Sequence, residues 1–191
     1  MIKAVIFDCF GVLVTSSYEP FKNKYFAGDQ KKIAKFTEIE DRSSRGEISL
    51  EEAEVGFAEL AGISLEQCAE ELAQNPRNAE LLDYIKTELK SRFKIGLLSN
   101  VAKDRTNELF TPKDIELFDD IVLSYQVGLA KPDPKIFELA AQRLGLKPEE
   151  CLFIDDLEKY LVGARAAGMN TIHFIDTENF SAEVEKKSGL A

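Results

Sequence analysis

Residues 1–14 read MIKAVIFDCFGVLV. Ala4 to Phe7 form an apolar run without alternation that meets an aspartate, Asp8. A continuous run of this length fits a strand covered on both faces, as in a parallel sheet, and an acid at its carboxyl end stands where such sheets bind ligands. Two positions on, Phe10 occupies a place where a second acid could serve. The stretch therefore leaves two readings of Asp8, a working carboxylate or the polar end of a buried strand.

Four further runs share this character: KIGLL at 94–98, DIVLS at 120–124, CLFI at 151–154 and TIHFI at 171–175. Helical patterns over 102–110, 134–144 and 158–167 separate the later ones, and the second has Pro134 at its start and Gly145 at its end, the residues that open and close helices most readily. Strands alternating with helices predict an α/β fold, a Rossmann-like doubly wound parallel sheet. Residues 15–90 break the rhythm with helical patterns alone, among them SLEEAEVGFAELAG, whose Ser49 and Glu52 have capping-box spacing, then SLEQCAEELAQ and NAELLDYIKTEL. The expected organisation is a core of residues 1–14 and 91–191 with an inserted all-helical cap, 15–90, that ends in the helix returning to the core. SAEVEKKSGLA at the carboxyl end reads as a short helix with a fraying end.

With 191 residues, 45% of them hydrophobic, the chain can bury a substantial core. Its 34 acids outnumber its 24 bases, and a net charge of −10 disfavours nonspecific binding to nucleic acid or anionic lipid. No apolar stretch approaches the roughly 20 residues that span a bilayer, and the first residues lack a signal-peptide pattern. These features lead to the expectation of a cytoplasmic protein, a monomer or weak homodimer, with neither a nucleic acid nor a membrane as partner. Cys9, Cys68 and Cys151 are too scattered for a zinc site and read as buried free thiols. His173 is the single histidine, which excludes a histidine-based triad.

The residues just after the strands carry the chemistry: Asp8 after the first, Ser99 and Asn100 after the second, Asp155 and Asp156 after the fourth, with Lys131 in the loop GLAKPDP. Singly, each has an ordinary account, since aspartates cap turns and helices and lysines are common in solvated loops. Converging on one sheet edge, they suit phosphoryl transfer to a carboxylate. Crowded acids call for a divalent cation, Mg²⁺ prefers oxygen ligands, and an aspartate can attack phosphorus.

FDCFGVL, LLSN, the lysine of KPDP and FIDDLEKYLVGARAAGM, in this order, resemble the four motifs of the haloacid dehalogenase superfamily of hydrolases, in its small-helical-cap, phosphatase-like subfamily IA. The resemblance implies that Asp8 is nucleophile and metal ligand and that Phe10 offers its main-chain carbonyl to Mg²⁺. It implies that Ser99 and Asn100 bind the phosphoryl group of a small phosphorylated metabolite, with Gly11 beside them, that Lys131 balances the charge, and that Asp156, with Asp155 next to it, completes the metal site. In the cap, Arg42, Arg45 and Glu47 are the charged residues singled out, with Arg45 as a candidate substrate contact.

Two departures stand out. Phosphatases of the superfamily usually carry a second Asp two positions after the nucleophile, to protonate the leaving oxygen and then activate water. Phe10 cannot transfer a proton, and loss of general acid–base catalysis typically costs about 10²- to 10⁴-fold in rate. An Asn or Asp often found four residues after the metal-binding Asp is here Tyr160. Three readings follow: a phosphatase weak or selective for good leaving groups, a non-catalytic binding or regulatory member, and a 2-haloacid dehalogenase. The last is supported by an aromatic residue at position 10 and opposed by Val12 and by the acidic DDLEKY.

Overall fold

The computed structural model describes residues 1–188. Ala4–Phe7 is β1, the middle strand of a five-stranded sheet, and every residue in it is buried, as its unbroken apolar run requires. Lys94–Ser99 (β2) and Asp120–Leu123 (β3) lie on one side, Cys151–Asp155 (β4) and Asn170–His173 (β5) on the other, giving the order β3-β2-β1-β4-β5. All four pairings are parallel. The expected doubly wound parallel sheet is therefore the observed one. Phe7, the last residue of β1, pairs with Leu97 of β2 and Ile154 of β4, so residues 8, 99–100 and 155–156 emerge at one edge of the sheet.

Between β1 and β2 the chain is helical: Tyr18–Phe26 (α1), Gln30–Ser44 (α2), Leu50–Ala61 (α3), Leu65–Leu72 (α4) and Ala79–Tyr84 (α5), the last running on as a π-helix over Ile85–Leu89. The first four build an apolar cluster of their own around Phe21, Phe26, Phe36, Phe57 and Cys68, with the Phe36 and Phe57 rings stacked at 4.0 Å. Ser49 and Glu52 form the expected capping box at the start of α3. Leu81, Leu82, Ile85 and Leu89 belong instead to the cluster on one face of the sheet. The chain leaves and re-enters the sheet layer along paired segments, with the Thr15 N–H donating to Pro76 O and the Asn78 N–H to Leu13 O, each at 2.9 Å.

After β2 come Thr106–Leu109 (α6) and Pro112–Ile115 (α7), after β3 Ser124–Val127 (α8) and Pro134–Arg143 (α9), and after β4 Glu158–Ala166 (α10), with Thr177–Ser188 (α11) following β5. The pattern over 102–110 had predicted one helix, but the chain is helical only from Thr106. Asp104 Oδ1 accepts from both the N–H and the hydroxyl of Thr106, which starts the helix late, and Thr111 opens a new capping box before Pro112. α9 and α10 cover the second face of the sheet. All three cysteines are buried and free. No helix among the described residues is long and apolar enough to cross a membrane. The fraying end expected after residue 188 lies outside the described residues.

Candidate active site

Asp8 leaves β1 with its N–H donating to Ile154 O of β4 at 2.9 Å, so it stands between two strands at the sheet's carboxyl edge. Lys131 Nζ lies 2.6 Å from Asp8 Oδ1 and 2.7 Å from Asp155 Oδ2. All three residues are buried, at 5%, 3% and 0% exposure. Charges this deep persist only when paired, and one ammonium bridging two carboxylates meets that demand. The remaining Asp155 oxygen accepts the Leu157 N–H at 2.8 Å, so both of its oxygens are engaged.

The loop carrying Lys131 is held from two sides. Asn100 accepts the Lys131 N–H with Oδ1 (2.9 Å) and donates from Nδ2 to the Lys131 carbonyl (3.0 Å). Its amide therefore positions the lysine, and the residue lines the cavity where it was expected to meet substrate. On the other side Gly163 of α10 packs so closely that a Cβ there would lie 2.2 Å from Pro132 O. Gly163→Ala must push the helix and the Lys131 loop apart. Overpacking of this kind costs about 1–3 kcal/mol, and melting curves are expected to show a Tm lower by roughly 2–12 °C.

Asp8, Asp155 and Asp156 present carboxylate oxygens all within 4.8 Å of one another. Asp156 Oδ1 is buried with no hydrogen-bond partner. Gly11, at φ +97°, makes room for this carboxylate, since a Cβ on residue 11 would fall 2.3 Å from Asp156 Oδ2. Burial pushes Asp8 up to about 7, opposed by Lys131 and reinforced by Asp155. Burial and then the Asp155 charge raise Asp156 to about 6. Burial pulls Lys131 down, but Asp155 and Asp8 outweigh it and hold the ammonium above its ordinary range. An all-oxygen set, short of positive charge and holding one orphaned oxygen, fits a hard divalent cation such as Mg²⁺.

These groups floor a cavity of about 140 Å³ between the sheet edge and the helical insertion. Its walls include Tyr18 and Lys22 of α1, Glu40 and Ser43 of α2, Arg105, and Lys159 and Tyr160 of α10. The Tyr160 ring lies 4.5 Å from Lys131 Nζ, and the Phe10 ring faces the Arg105 guanidinium at 6.0 Å. Ser43 Oγ is buried without a hydrogen-bond partner among the described residues, and Ser99 is buried beside the Cys9 thiol. The Ser124 hydroxyl at the end of β3 donates to Ser44 O and accepts the Val101 N–H, which fixes the end of α2 over the site.

A family model for haloacid dehalogenase-like hydrolases matches residues 2–168. The chain belongs to that family. Among solved structures, a family member, bt-2542 from Bacteroides thetaiotaomicron, is 26% identical, with a TM-score of 0.74 over 95% of this chain and 97% of that one. The same enzyme in complex with magnesium and inorganic phosphate gives a TM-score of 0.72 over 94% and 99%. A glyceraldehyde 3-phosphate phosphatase from Methanopyrus kandleri is 40% identical over 95 residues, 47% of this chain and 41% of that protein. A bifunctional epoxide hydrolase 2 from Sus scrofa is 29% identical over 99% of this chain and 39% of that protein. The chain thus spans less than half the length of these two curated relatives.

In this family member, Asp8, Gly11, Ser99, Asn100, Lys131, Asp155 and Asp156 all gather at one sheet edge, with Phe10 at the cavity wall. Arg45 does not join them. It is exposed at the end of α2, with Nε donating to Glu47 Oε1 at 2.7 Å and Arg42 on the same glutamate at 3.7 Å. Arg42, Arg45, the candidate substrate contact, and Glu47 satisfy one another. The insertion residues that do face the site, Tyr18, Lys22, Glu40 and Ser43, lie on helical stretches whose polarity reads as an ordinary solvated face. His173, exposed on β5, contacts the Asp156 carbonyl through Nε2 at 2.8 Å.

Proposed function

We propose that this chain is a Mg²⁺-dependent phosphatase of small phosphorylated metabolites working through an aspartyl-phosphate. The observation that carries the reading is the Lys131 bridge between Asp8 and Asp155 beside the unpartnered Asp156 oxygen, at the floor of a cavity. Asp8 attacks phosphorus through a carboxylate oxygen, the bond to the leaving oxygen breaks, and water then releases phosphate from Asp8. Ser99, at the end of β2, and Lys131 receive phosphoryl oxygens as charge builds on them. Asp8, Asp156 and the Phe10 carbonyl, with Asp155 behind them, would hold Mg²⁺, which when bound offsets the phosphoryl charge.

A cavity this small favours a short substrate. Substrates with good leaving groups, such as acyl, sugar 1- and aryl phosphates, need least help where position 10 carries no acid. With Mg²⁺, phosphate release from p-nitrophenyl phosphate and from members of a phosphometabolite panel is expected, to be lost on chelation and restored by added Mg²⁺. Binding without release would support a non-catalytic role instead, and halide release without metal would revive the dehalogenase reading.

A further inference from the structure

Position 10 leaves a chemical gap, and the insertion contains a group able to fill it. Glu40, near the end of α2, is half-buried and lines the cavity that Asp8 floors. Its carboxyl group makes no hydrogen bond or ion pair among the described residues, whereas Glu19 pairs with Lys22, Glu47 with Arg45 and Glu71 with Lys24. The cations that act on it, Lys159 of α10 and Lys22 of α1, do so through space only. A carboxyl with no protein partner in a partly desolvated cavity is free to hydrogen-bond a molecule that enters it.

Resting on the phosphatase reading, we infer that Glu40 is the acid–base residue of this site, delivered from the insertion in place of a residue at position 10. As Asp8 forms its bond to phosphorus, the bond from phosphorus to the leaving oxygen breaks and the Glu40 carboxyl gives that oxygen its proton. This yields the alcohol, the aspartyl-phosphate and the Glu40 carboxylate. The carboxylate then takes a proton from water as the water oxygen attacks phosphorus and the bond to Asp8 Oδ breaks, giving phosphate and returning both side chains to their starting states. Burial raises Glu40 above its ordinary carboxylic value, against the pull of Lys159 and Lys22 and with the help of Asp41 and Glu19. That shift keeps the proton available closer to neutral pH. Tyr160 faces the same cavity, but burial pushes its phenol further from neutrality and makes it the poorer donor.

The consequence is a broader substrate class, because a positioned acid allows alkyl phosphates, whose leaving alkoxides must be protonated. The test compares an alkyl phosphate such as glycerol phosphate with p-nitrophenyl phosphate, whose phenolate leaves without a proton. Glu40→Gln is expected to lower kcat on the alkyl ester by about 10²- to 10⁴-fold and, on p-nitrophenyl phosphate, to leave the first-turnover burst of p-nitrophenolate at the wild-type rate while slowing the later turnovers, which need an activated water. In a Phe10→Asp background, which restores an acid at position 10, the same substitution should cost little on either ester. A purely structural role would cost the same in both backgrounds and on both esters. Equal loss in the first turnover of the two esters, or selective loss in Tyr160→Phe in place of Glu40→Gln, overturns the assignment while the phosphatase reading stands. Absence of phosphate release from either ester by the wild-type protein overturns both.

Discussion

Asp8→Asn is expected to abolish turnover and, in the metal-free protein, to raise stability. An amide cannot attack phosphorus, so phosphate release should fall by at least about 10³-fold. The gain in stability follows from the same burial that shapes the site. Asp8 titrates near 7 in the folded chain against an ordinary 3.8, so the folded state disfavours the carboxylate. This penalty is fully present above pH 7 and shrinks as pH falls from about 7 toward 3.8, where the folded and unfolded chains both become protonated. Asn carries no such penalty, and Lys131 keeps Asp155 as its partner. Tm measured without metal should therefore be higher for the variant at pH 8, with the difference closing toward pH 4. Mg²⁺ should raise the Tm of the wild type more than that of the variant, since a ligand that binds only the folded state stabilises it in proportion to its affinity. A variant with unchanged turnover would remove Asp8 from the chemistry, and a lower Tm at pH 8 would mean that its pairing with Lys131 outweighs its burial.

The sheet was legible because its strands are continuous apolar runs and each acid falls at the end of one. β1 and β4 pair in register from Ala4 with Cys151 to Phe7 with Ile154, and so the position of Asp8 beside Asp155 follows from counting residues. What a side chain does after arriving at the edge was less legible. Asn100 reads as a polar residue at a strand end, yet its amide oxygen and one amide hydrogen go to the Lys131 main chain 31 positions later. Arg45 reads as a free cation, yet Glu47 two residues on neutralises it. Glu40 carried the opposite disguise, an acid among EIED on what looks like a solvated helix face. Its burial depends on how α2 seats over β3, through a hydrogen bond from Ser124 to Ser44 O that no local pattern encodes. Long-range packing decides which charges are spent and which are left to act.

Lys131→Met is expected to have the largest effect on stability. Methionine keeps an unbranched apolar stem, one atom shorter, and removes the ammonium with its N–H donors, so Asp8 and Asp155 are left side by side in the interior with no cation between them. Breaking a buried ion pair from one side typically costs about 3–5 kcal/mol, chiefly because the abandoned charge stays buried. For a chain of this size that corresponds to a fall in Tm of roughly 6–20 °C. The cost should be greatest near pH 8 and smaller near pH 5, where Asp8, pushed up by its burial, takes up a proton in place of the lost ammonium. Adding Asp155→Asn should recover part of the loss, since the second change removes one of the stranded charges while Asn Oδ1 can still accept the Leu157 N–H. Mg²⁺ should also recover part of it, because a divalent cation placed against Asp8 and Asp156 supplies charge that Lys131 no longer does. Additive losses in the double variant would mean that the ammonium acts through packing against Phe153 and Tyr160, whose rings lie 5.3 and 4.5 Å from it, and that the charge it places between the carboxylates contributes little.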